Sequence, residues 1–174
     1  MHLEKKWSID MLNKLHEYET REFSGDMQEI CWLIDNYVEK SKLYEGTPRE
    51  TRRNMIVKIE KLAKKNKNNY LVCYHNNQIV GAMVWQYTDA IYNRLHAFCA
   101  LMYAGGSTIE SVYAIISMAQ TWEQIVREEG RVDHLIAGTN PFYEGTTVID
   151  IFEKHCGWNK IRFMGWKMLN DTAI

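Results

Sequence analysis

The chain has 174 residues, 46% of them hydrophobic and 25% charged, enough for one substantial core and too few for two ordinary domains. Its 21 Lys and Arg nearly cancel its 22 Asp and Glu, and the formal charge of −1 gives no global field favouring nucleic acid or an anionic membrane. Aromatics at 12%, with six Trp, ten Tyr and nine Met, exclude a largely disordered chain.

Trp7, Met11, Leu12 and Leu15 are spaced as on a helix, and the alternating stretch from Glu17 to Phe23 reads as an edge strand. Ser24-Gly25-Asp26 supplies a turn and a cap, after which Met27, Ile30, Cys31, Leu33, Ile34, Tyr37 and Val38 build one apolar helical face. A second helix starts after Thr47 with Pro48 at its first position and carries Met55, Ile56, Ile59 and Leu62 on one side. It ends in KKNKNN, a run better explained as a solvated helix C-terminus, where cations complement the dipole, than as a nucleic-acid patch. YLVCYH and IVGAMVWQY are rich in β-branched and aromatic residues and form a hairpin across Asn76-Asn77-Gln78. LHAFCALMYA is a third strand, broken by Gly105-Gly106. Ser107 and Glu110 have capping-box spacing at the start of a long amphipathic helix that runs toward Gly130. VDHLIAG is a further strand, TNPFYEG a loop, Thr147 to His155 a short helix and IRFMGWKML a last strand.

This order of elements defines an α/β domain with a mixed sheet covered by helices on both faces. One domain is expected over residues 17–174, with residues 1–16 as an N-terminal extension. No apolar run approaches the roughly 20 residues of a membrane helix, and MHLEKKWSIDMLNKL lacks the apolar stretch of a signal peptide. A cytoplasmic protein with no membrane partner is therefore expected. Cys31, Cys73, Cys99 and Cys156 are widely spaced in apolar contexts and read as reduced core thiols. The six histidines show no H-x-x-x-H spacing or cysteine pairing, so no metal is expected.

The hairpin, the glycine-ended strand before a long helix, and the strand followed by Asn140 and a short helix together resemble the GCN5-related N-acetyltransferase (GNAT) fold over about residues 17–170. Two fragments carry the resemblance most specifically. Ile151-Phe152-Glu153-Lys154-His155-Cys156-Gly157-Trp158 is similar to the family's Leu-Tyr-Glu-Lys-x-Gly-Phe segment with one extra residue, and Gln78-Ile79-Val80-Gly81-Ala82 to its "dxxivGxa" strand. The resemblance implies a mostly antiparallel sheet with a splayed central strand pair, the strands at about 95–103 and 132–138 parting at their C-terminal ends. It also implies acetyl-CoA as acyl donor. Its pantetheine arm would lie on the backbone of Cys99, Ala100 and Leu101, and its diphosphate on the N–H groups of Gly105, Gly106, Ser107 and Thr108, with Asn140 as a further coenzyme-binding residue.

The family's loop signature opens with Gln or Arg, whereas the two frames available here open with Met102 or Tyr103. The Ser107–Glu110 capping box explains the same segment as a plain helix start, and both readings stand at this point. Many family members carry an acid Tyr where this chain has Phe152; Tyr143 and His155 are the substitutes the sequence offers. His96, near the start of the glycine-ended strand, is the candidate base, a core histidine being the other reading of it. Cys99 is better placed as a core thiol than as a nucleophile.

The implied activity is N-acetylation of a primary amine on a small-molecule or protein acceptor. The alternative is a catalytically degraded GNAT-fold assembly or binding module, such as a phage-particle component with a protein assembly partner, docking through the segment before Glu17. A nucleic-acid modifier is disfavoured by the balanced charge.

Overall fold

In the computed structural model, which describes residues 9–40, 48–89, 95–132, 135–137, 148–156 and 158, the chain runs α1 (Ile9–Leu15), β1 (Tyr18–Glu22), α2 (Met27–Lys40), α3 (Arg49–Lys65), a single 3-10 turn (Lys67–Asn69), β2 (Tyr70–His75), β3 (Gln78–Thr88), β4 (His96–Ala104), α4 (Thr108–Glu129), β5 (Leu135–Ala137) and α5 (Val148–Cys156). The expected last strand, Ile161 to Leu169, lies outside the described residues. So does the loop from Thr139 to Gly145.

The strands lie in the order β1-β2-β3-β4-β5. All neighbouring pairs are antiparallel except β4 and β5, which are parallel. The central hairpin turns on Asn76 and Asn77, both at positive φ (51° and 62°), the conformation a two-residue turn between twisted strands requires and asparagine tolerates. Gln78 belongs to β3 rather than to the turn. β1 occupies the edge, paired from Tyr18 opposite His75 to Glu22 opposite Leu71.

Strand alternation divides the apolar residues between two cores. Leu71, Cys73, Met83, Trp85, Ala97 and Cys99 face α4 and α5, with Tyr113, Ile116, Met118, Trp122, Ile151 and Phe152 packed over them and Met11 and Leu15 of α1 alongside. Tyr70, Val72, Ala82 and Val84 face α2 and α3, which supply Ile30, Leu33, Ile34, Ile59 and Ala63. Gly81 sets the spacing on the α4 side, because a Cβ there would sit 2.9 Å from Met118 Cε and 3.4 Å from Ala114 Cβ.

Two buried polar contacts tie helices to the sheet. Ser117 Oγ of α4 donates to the Tyr18 carbonyl (3.1 Å) and accepts from Thr20 Oγ1 (2.7 Å). Buried Glu29, in the first turn of α2, accepts from Tyr74 Oη (2.6 Å) and from the Ser24 N–H (3.0 Å). All four cysteines are free thiols, Cys73 and Cys99 buried and Cys31 and Cys156 half-buried. Among the described residues no helix is long and apolar enough to cross a membrane.

Candidate functional site

β4 is longer than the partner on its outer side. Its ladder with β5 covers three positions, Ala97 opposite Leu135, Phe98 opposite Ile136 and Cys99 opposite Ala137, and β4 then continues to Ala104. Among the described residues, the last rung of this ladder lies beside an irregularity in the opposite one. Val84 of β3 faces Leu101 while Trp85 faces Cys99, which leaves Ala100 as an extra, exposed residue. A bulge of this kind bends the strand and ends regular pairing. It also reverses the alternation: Ala97 and Cys99 lie on the α4 side, Leu101 turns to the α2 side, and Met102 and Ala104 return to the α4 side. Among the described residues no strand pairs with Ala100 to Ala104 on the side away from β3. An exposed strand edge offers N–H and C=O groups to an extended ligand.

That edge leads directly to the N-terminus of α4. The Gly105 N–H donates to the Val80 carbonyl (2.8 Å), and Gly106 takes φ +89°, where a Cβ would lie 2.8 Å from Glu110 Oε2. The capping box expected from spacing is formed. Ser107 N–H donates to Glu110 Oε2 (2.8 Å), and Glu110 N–H donates to Ser107 Oγ (3.4 Å). The Ser107 backbone and hydroxyl bonds hold the Glu110 carboxyl below its ordinary range, with a smaller contribution from His75. The carboxylate thus occupies the place at the helix N-terminus where donors and dipole favour an anion. The strand edge fits an extended acyl-pantetheine arm. At the diphosphate end, the loop fits only once Glu110 has turned away.

His96, Cys99, Ala100 and Leu101 all lie on β4. His96 is its first residue, buried and paired with Thr88, three residues and about 10 Å along the strand from the last described rung with β5. Cys99 donates weakly to the Leu101 carbonyl (3.7 Å), and burial pushes its thiol up to about 12. It is protonated at neutral pH and is no nucleophile. Tyr143 and Asn140 fall outside the described residues. His155 is half-buried in the last turn of α5. Phe152 is fully buried, its ring centroid 4.5 Å from that of Trp158, which in turn lies 5.7 Å from Trp122. One neighbour of the loop carries no signal in the sequence beyond helical spacing: Trp32 of α2 lies 5.8 Å from the Tyr103 ring, and a Cβ on Gly105 would be 3.7 Å from it.

No family model and no curated protein matches the sequence. Solved structures do match the fold. The chain is similar to a possible acetyltransferase from Clostridium difficile 630, with a TM-score of 0.58 and 10% identity over 86% of this chain and 95% of that one. It is similar to a predicted acetyltransferase with acetyl-CoA from Clostridium acetobutylicum, at 0.52 and 15% identity over 84% and 94%. A transcriptional regulator from Bacillus halodurans C-125 gives 0.54 and 19% identity over 87% and 98%. At these identities the likeness is one of fold. The chain has the GNAT fold, with the mixed sheet that its order of elements implied and the mostly antiparallel pairing that the resemblance implied.

Proposed function

We propose that this chain is an acyl-CoA-dependent N-acetyltransferase acting on a primary amine of a small molecule or protein. The observation that carries the reading is the continuity of β4: among the described residues it runs past its last rung with β5 at the Ala100 bulge, and that edge leads into the N-terminus of α4. The acetyl-CoA-bound structural neighbour supports the choice of donor. Four free thiols suit a reducing cytoplasm.

In this reading the pantetheine arm lies along the backbone of Cys99, Ala100 and Leu101. A neutral amine attacks the thioester carbonyl, whose oxygen is polarised by strand N–H groups; the carbon–sulfur bond breaks, and the products are an acetamide and the free thiol of CoA. Holding the two reactants together and stabilising the developing oxyanion supply most of the rate. His96 takes the ammonium proton through water, Tyr143 returns one to the departing thiolate, and Asn140 helps hold the coenzyme. The diphosphate meets the N–H groups of Gly106 to Thr108 rather than an arginine, since that loop contains none, and Gly105, whose N–H is held by the Val80 carbonyl, allows close approach of the backbone.

A second reading has its own support. Glu110 at the helix N-terminus and a buried phenylalanine at 152 suit a GNAT-fold module that has lost catalysis and serves assembly, as in a phage particle. Titration with acetyl-CoA, followed by thermal shift on wild type and on Glu110→Gln, separates the two, because a ligand that binds the native state raises its stability. For the enzyme, wild type gains stability at millimolar acetyl-CoA, and Glu110→Gln does so at roughly fivefold lower concentration, about the effect of one charge at a helix end. A flat response from both proteins favours the module.

A further inference from the structure

The even overall charge conceals a segregation. Between residues 49 and 67 stand eight Lys or Arg against two Glu, a net of six positive charges, so the remainder of a chain with total charge −1 carries a net of seven negative ones. α3 arranges this excess on one side. Its apolar stripe of Met55, Ile56, Ile59, Leu62 and Ala63 packs into the α2 core, and Arg49, Arg53, Lys58, Lys61, Lys64 and Lys65 are exposed on the outside. Lys64 pairs with Glu60, and Arg52 at the margin pairs with Asp35 of α2. Among the described residues the other five outward cations have no ion-pair partner.

We propose that the outer face of α3 is a docking surface for the phosphate backbone of double-stranded DNA. Its cations extend from Arg49 to Lys65, about 24 Å along the helix, a distance over which one strand of a B-form duplex passes about seven phosphates. The character of the face selects this occupant over two others. A protein interface needs an apolar or aromatic centre and is poor in lysine, whereas α3 has no aromatic residue, and Val57 is the one large apolar side chain it exposes among the described residues. An amphipathic membrane helix buries its apolar side in lipid, and here that side is already occupied by the protein core. Lysine and arginine with exposed Asn54 and Asn66 are donors suited to phosphate oxygens, and the lack of a stacking ring points to a duplex backbone rather than to unpaired bases. The negative remainder of the molecule would turn this one face toward the polyanion. None of this depends on acetyl transfer.

The test is fluorescence anisotropy with mixed-sequence DNA and RNA duplexes of about 20 base pairs, over about 50–200 mM salt. Wild type should bind with micromolar affinity at the low end and lose about 10²-fold across the range, which corresponds to about four neutralised phosphates. The triple variant Lys58→Gln, Lys61→Gln, Lys65→Gln keeps good helix formers on the outer face. It should melt as wild type does, bind every duplex at least about tenfold more weakly and show a salt slope lower by about two to three. Binding of the DNA duplex at least as tight as that of the RNA duplex is expected, and a clear preference for RNA would overturn the choice of DNA. Absence of duplex binding at low salt, an unchanged slope in the triple variant, or tighter binding to poly-glutamate or to phosphatidylserine–phosphatidylcholine vesicles would each overturn the proposal.

Discussion

Phe152 has no exposed surface and lies against Trp158 with ring centroids 4.5 Å apart. Its position in the short C-terminal helix resembles that of an acid tyrosine, but its surroundings are those of core. Adding a hydroxyl desolvates a polar group without supplying a partner, so Phe152→Tyr is expected to lower the unfolding free energy by about 1–3 kcal/mol in urea titrations. Acetyl transfer by the same variant should stay within about twofold of wild type; a gain nearer 10²-fold would mean that the hydroxyl reaches the departing thiolate and that the lost acid had been at this position. Cys99 makes a parallel point. Its place in mid-strand at the opening suggests chemistry, yet burial keeps its thiol protonated up to about pH 12, and the useful groups there are those of the backbone.

α4 begins with a reciprocal pair of hydrogen bonds between Ser107 and Glu110. Ser107→Ala removes the acceptor for the Glu110 N–H and should cost about 1 kcal/mol of stability, read from the urea midpoint. Because the folded protein holds the Glu110 carboxyl low, the box contributes stability above the ordinary carboxylate range and loses it as pH falls through the depressed value. The difference between wild type and Ser107→Ala should therefore shrink in acid. Spacing made this cap legible, as it did the amphipathic faces of α2, α3 and α4 and the Asn76–Asn77 turn, since each depends on residues a few positions apart. The bulge left no such trace. Phe98, Cys99, Ala100, Leu101 and Met102 read as one uninterrupted apolar strand, and the extra residue becomes visible only from what stands opposite it on β3. The role of the Gly105–Thr108 loop was ambiguous for a different reason: the same serine and glutamate satisfy a helix cap and occupy an anion site.

Across the whole molecule three thiols, those of buried Cys73 and Cys99 and half-buried Cys156, set a limit in alkali. Burial pushes Cys73 up to about 11 and Cys99 and Cys156 up to about 12, whereas an unfolded chain releases those protons near pH 9. Between these values the native state binds more protons than the unfolded one, so stability falls as pH rises, by about 1.4 kcal/mol per unit for each thiol and about 4 for the three. Urea midpoints should be nearly level around pH 8 and decline with that slope between about pH 9.5 and 10.5, and Cys99→Ala should lessen it by about a third; a flat profile would mean that these thiols ionise within the fold. The irregularity of β4, which among the described residues runs five residues past its last rung with β5, has a consequence for how such a protein tolerates change. The extra residue at Ala100 is a phase slip between two gratings, set by counting rather than by chemistry. Substitution at any position, however drastic, leaves the count intact, and only the gain or loss of a residue can remove it. An opening written as a dislocation in register is therefore insensitive to the chemistry of most of the side chains around it.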